Sequence, residues 1–117
     1  MFMQTTPITT ARTSRPLGEI EFCAWVAQAA PGDRLEYHRG FLVLDTFPAI
    51  SHLPDAQRVE LAKLGSRAFW AAEQGLVHLV QERIDTDRFA YIAVARPKPK
   101  AATASLSALL LSEAEAA

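Results

Sequence analysis

The chain of 117 residues has one cysteine, five scattered glycines, a formal net charge of -1 and no long apolar run. Each scarcity excludes something. Cys23 alone cannot close an internal disulfide, which suits a reducing compartment, and its apolar neighbours make it a small buried hydrophobe. The glycines form neither a phosphate-binding loop nor a dinucleotide fingerprint. His38, His52 and His78 lie far apart, and none has a second histidine or a cysteine at metal-ligand spacing, so no metal or other cofactor is expected. A sequence pI near 6.3 counts against a protein whose affinity comes mainly from neutralising phosphate. The amino terminus lacks the apolar run of a secretory signal, and no stretch is long enough to span a bilayer, so the expected location is the cytoplasm, without membrane contact. Glu36, Tyr37, His38 and Arg39 are the nearest approach to an acid-base cluster. Strand alternation divides them between two sheet faces, and the expectation is that the chain is not an enzyme.

Half of the residues are hydrophobic, enough for one domain with a modest core. Residues 1 to 16, rich in threonine and carrying Pro7 and Pro16, have no apolar period and read as a flexible arm. From Leu17 to Ala30, Ile20, Cys23, Ala24 and Ala27, flanked by Phe22, Trp25 and Val26, predict a helix ended by Pro31-Gly32. Arg34 to Asp45 reads as strand, with Arg39-Gly40 as either a turn that makes it a hairpin or a bulge that bends it. Thr46 to Leu53 is a connector. From Pro54, Leu61, Leu64, Gly65, Ala68, Phe69 and Ala72 share one helical face, which the spacing assigns to the core. Gly65 in mid-helix implies either a close neighbour or a break into helices 55–63 and 66–74.

Alternation resumes after Gly75 and again from Arg88 to Ala95, with Asp85-Thr86-Asp87 as the turn of a hairpin. Pro97-Lys98-Pro99-Lys100 ends the sheet. Residues 97 to 117 form a tail that is flexible or marginally helical around Leu106, Leu109 and Leu110. The folded unit is therefore residues 17 to 96, of α+β class.

Helix, strand, one long or two short helices, strand, turn, strand is an order that resembles the winged helix-turn-helix superfamily of bacterial and phage regulators. Glu73-Gln74-Gly75-Leu76-Val77 matches its step from helix through glycine into strand, and Arg83 to Arg88 matches the wing tip. The chain also looks like small phage or prophage proteins of proteobacteria. The resemblance implies a second helix docked in the major groove of double-stranded DNA and a wing beside it. DNA contacts would then fall on Arg58, Lys63, Ser66, Arg67, Trp70, Arg83 and Arg88. Trp70 stands about 180° from the assigned core stripe, so it is either an exposed aromatic beside cations or a second apolar contact covered by the first helix or the tail. The aspartates of the wing tip oppose phosphate. Two expectations follow: a DNA-binding regulator of phage or prophage type, or a winged-helix-like module that binds protein, such as a phage-encoded modulator of a host machine. A homodimer through the first helix or the tail is compatible with both.

Overall fold

The computed structural model describes residues 10–12, 16–98 and 108–111. Along the chain run β1 (Thr10–Ala11), α1 (Glu19–Gln28), β2 (Arg34–Gly40), α2 (Leu42–Thr46), α3 (Asp55–Glu73), β3 (Val77–Asp85) and β4 (Arg88–Ala95), and residues 108–111 add one helical turn. The strands form one mixed sheet in the order β1-β2-β4-β3, with β1 parallel to β2 and the other pairs antiparallel. This is an α+β fold. Sheet pairing begins at Thr10, seven residues before Leu17, because Thr10 and Ala11 lie beside Arg34 and Leu35.

The element ends follow local chemistry. Gly18 precedes α1, and its N–H donates to the Glu21 carboxylate at 3.2 Å, half of a capping box. Past the other end, Gly32 takes φ 94° and donates its N–H to Ala95 O at 2.8 Å, while Lys98 Nζ donates to Ala29 O. At the end of α3, Gly75 (φ 76°) donates to Ala72 O and Leu76 to Ala71 O, the paired bonds of a Schellman motif. Leu76 is thereby turned into the core, where it is fully buried. Thr86 and Asp87 connect β3 to β4, with Asp87 at φ 55°.

Helices α1 and α3 pack on one face of the sheet around Phe22, Cys23, Val26, Leu35, Leu64 and Ala68. Tyr37 meets Phe22 edge to face at 5.9 Å and stands 6.3 Å from Tyr91, which touches Phe89. Such ring pairs contribute about 0.5–1.5 kcal/mol each beyond area burial. Ala90 and Ile92, on the opposite face of β4, are buried as well. Arg34 and Glu82, from the strands on either side of β4, join guanidinium to carboxylate at 2.5 Å. Their register, Arg34 beside Val94 and Glu82 beside Ala90, carries the ion pair and its aliphatic stems across Ile92.

Two expectations are corrected and one alternative is decided. Phe41 to Asp45 is not strand: Gly40, at φ 147°, turns the chain out of β2, and α2 follows. Asp45 Oδ2 accepts from Phe41 N and from His38 Nε2, and Tyr91 Oη accepts from Leu42 N. Tertiary hydrogen bonds thus select a helix for an apolar run whose period is ambiguous. The bulge of β2 falls between Glu36 and His38 rather than at Arg39-Gly40. Second, the buried stripe of α3 is Leu61, Leu64, Ala68 and Ala71, and Phe69 is 61% exposed. The helix is apolar on too many rows for spacing alone to fix its rotation, and the sheet keeps Leu61, Leu64 and Ala68 of the expected face but takes Ala71 in place of Phe69. Of the two settings left open for Trp70, the structure takes the second: it is half-buried against the core.

Helix α3 runs unbroken through Gly65 because α2 lies beside it; a Cβ built on Gly65 would stand 3.6 Å from Leu42 Cδ2, an ordinary contact. Gly65→Ala should therefore stabilise the fold by about 0.5–1 kcal/mol through helix propensity. Gly40→Ala should destabilise it, since its Cβ would meet Asp45 Oδ2 at 2.5 Å in a backbone conformation that L-residues avoid. Urea denaturation of both variants checks the opposite signs.

Candidate interaction face on α2, α3 and the wing

The candidate DNA-contact residues do not converge. Arg67 Nε donates to Glu19 Oε2 at 3.1 Å, both side chains being largely covered, so it ties α1 to α3. Its guanidinium also lies 5.1 Å from the centre of the Trp70 ring. These two residues therefore belong to the helix-helix packing. Arg58 sits 3.6 Å from Asp55, and Lys63 sits 3.4 Å from Glu60, each within its own helix. The Lys63–Glu60 pair, exposed on both sides, holds weakly and would open for a phosphate, whereas the Arg58 side chain is largely covered. The long-range field is what they cancel: α3 carries three cations and three carboxylates, so it offers little electrostatic steering.

Arg83 and Arg88 stand exposed on the hairpin with no ion pair among the described residues. Glu82, Asp85 and Asp87 surround them, leaving the hairpin with three carboxylates against two arginines. Arg88, Thr86 and Asp87 border a groove of about 370 Å³ whose other wall includes Ile50, Ser51 and His52. The connector between α2 and α3 and the β3–β4 turn thus share one end of the described structure. Proximity of Ser51 and His52 to Arg88 depends on sheet order and has no local signal in the sequence.

Ser66 and Lys63 are both exposed on the outer side of α3, and apolar residues flank Ser66 there. Val59, Ala62, Ser66 and Phe69 follow one another at spacings of three, four and three and are all exposed. Helical geometry places them in one row. On α2, Val43 is 67% exposed and Phe47, one turn further, is 50% exposed. Leu42 anchors α2 against Gly65, so the outer sides of α2 and α3 lie next to one another. Contiguous exposed apolar side chains of this size mark contact sites more often than single ones do. Of these residues the helical spacing in the sequence singles out only Phe69, and it assigns Phe69 to the core.

The cluster on β2 is dispersed. Glu36 accepts both Arg39 Nε (2.6 Å) and a terminal nitrogen of Arg39 (2.9 Å), which holds its carboxyl below the usual carboxylate range. The bulge leaves Tyr37 and His38 together on the helical side of the sheet, with His38 bound to Asp45. Burial, reinforced by Tyr91, pushes the Tyr37 phenol up to about 12. Among the described residues, no group of three or more His, Cys, Asp or Glu side chains is placed to hold a metal ion, and no helix is long and apolar enough to cross a membrane.

Because the folded-state pKa of Tyr37 lies above its unfolded value of 10.0, its contribution is complete below pH 10 and is lost as pH rises toward 12. Relative to Tyr37→Phe, the protein should lose on the order of 2 kcal/mol across that interval, measured as the difference between their denaturation free energies at each pH.

No family model, no curated protein and no solved structure matches this chain, so its function is read from its own fold and surface.

Proposed function

We propose that the chain is a non-enzymatic, winged-helix-like module that works by contact with another protein, through the outer face of α2 and α3. The observation that carries this reading is the exposed row Val59, Ala62, Ser66 and Phe69 beside Val43 and Phe47. A row of this composition suits an apolar, weakly charged partner surface and offers phosphate almost nothing. The winged-helix-like part of the reading is supported by chain order: α1, β2, α2, α3, β3 and β4, with β4 between β2 and β3. In that arrangement α3 is the second helix of the pair and the β3–β4 hairpin is the wing.

A DNA-binding regulator is the second reading, and the two unpaired arginines of the wing favour it. Arg83 and Arg88, with Ser51 and His52 across the groove, would then supply the backbone contacts, and α3 the groove-facing helix.

Two measurements on the full chain separate the readings. Anisotropy of a labelled random-sequence duplex should show no salt-sensitive binding at low ionic strength, and the double variant Arg83→Ala/Arg88→Ala should behave as the parent does. A photo-crosslinking amino acid at position 69 should give, in the producing cell, one discrete adduct that Val43→Lys removes and that the same probe at Asp87 does not give. Binding that falls steeply with salt and disappears in the arginine double variant, with no adduct at position 69, would replace the protein reading with the DNA reading.

A further inference from the structure

A cavity of about 560 Å³ lies apart from the face just described, between the start of α1, the strand β2 and the first half of α3. Leu17, Leu53, Leu61 and Leu64 supply its apolar walls, and Tyr37, His38 and Gln57 its polar ones. This volume is within the range of small-molecule sites, as is the combination of an apolar lining with a few polar groups.

Tyr37 makes this cavity more than a packing gap. The residue is 7% exposed, and its hydroxyl has no hydrogen-bond partner among the described residues. No fully buried side-chain oxygen or nitrogen lacks a partner, so the remaining exposure of Tyr37 includes its hydroxyl, and the space it opens on is the cavity that it lines. The hydroxyl, open to water in a largely apolar wall, can exchange that water for the acceptor of a ligand. Burial keeps this phenol protonated well above neutral pH, so it stands there as a donor. His38 stays in place through its Nε2 bond to Asp45 and adds the rest of its ring to the same wall.

Arg12, Glu21, Glu36, Arg39 and Glu60 also line the cavity, and each is already engaged. Arg39 holds Glu36 through two bonds, Arg12 approaches the same carboxylate at 3.7 Å, Lys63 faces Glu60, and Glu21 accepts from Gly18 N. An ionic ligand would have to break one of these pairs, whereas a neutral one would not.

We infer that this cavity is a binding site for a neutral, mainly apolar small molecule whose carbonyl or other acceptor takes the Tyr37 hydroxyl. The site goes beyond the protein-contact reading and stands without it, because it uses the opposite side of α3.

The test titrates the full chain with 2-acetonaphthone, with 2-ethylnaphthalene of the same shape but no acceptor, and with charged 2-naphthoate, followed by amide proton–nitrogen correlation spectra. The ketone should bind saturably, shift amides at residues 36–38 and 53–64, and bind about tenfold tighter than the hydrocarbon, as one hydrogen bond to a buried group implies. Naphthoate should bind more weakly than the ketone. Tyr37→Phe should abolish the preference for the ketone while leaving the hydrocarbon unchanged. Leu53→Trp, a rim substitution at a half-buried position that keeps the core residues intact, should fill the cavity and remove binding of both. Absence of saturable binding would overturn the inference. So would shifts centred on Phe69 and Val43, a ketone preference that survives in Tyr37→Phe, or unchanged binding in Leu53→Trp.

Discussion

Burial of both faces of β4 is the constraint to which the other elements answer. On one side, Tyr91 and Ala93 form the floor beneath α1 and α3; on the other, Ala90 and Ile92 are buried away from α1 and α3. A central strand in a sheet covered by helices on one side alone needs another cover. Arg34 and Glu82 supply it, by meeting across β4 with their charged ends while their methylene stems shield Ile92. The position of β4 between β2 and β3 also brings the wing tip to the connector between the helices, so the groove at that end is a result of sheet order.

Tyr91 extends this dependence to α2. Its ring belongs to the aromatic row that starts at Phe22, and its hydroxyl accepts the N–H of Leu42 at the start of α2. The His38–Asp45 bond adds a second fastening at the same place. A helix of five residues is too short to persist alone, so these side chains hold it against α3. Once there, it covers Gly65 with Leu42 and leaves Val43 and Phe47 outside. The exposed apolar face and the unbroken course of α3 through its glycine thus have one origin, the seating of α2.

Local signals in the sequence were read where the physics is local. Glu73-Gln74-Gly75 ends α3 because a glycine in the left-handed conformation lets the last carbonyls find partners, and Asp85-Thr86-Asp87 forms the hairpin turn because aspartate tolerates positive φ. Reading failed where a neighbour decides. Phe41-Leu42-Val43-Leu44 carries no period, and its helix depends on acceptors from Asp45 and Tyr91. Phe69 and Leu61 both suit a core row, and Arg67 pairs with a glutamate 48 positions away. That pairing ties Arg67 to α1, while Arg83 and Arg88 stand exposed on the β3–β4 hairpin.

By itself, the sequence determined the class of the fold, the end of α3 and the hairpin after it, since these follow from backbone preferences and alternation within a few residues. Tertiary structure alone decided which apolar row of α3 is buried, which cations are neutralised and that Tyr37 opens on a cavity. The reason is geometric. The rotation of a helix, and the partner of a long charged side chain, are set by the surface each packs against, and that surface is assembled from residues dozens of positions away.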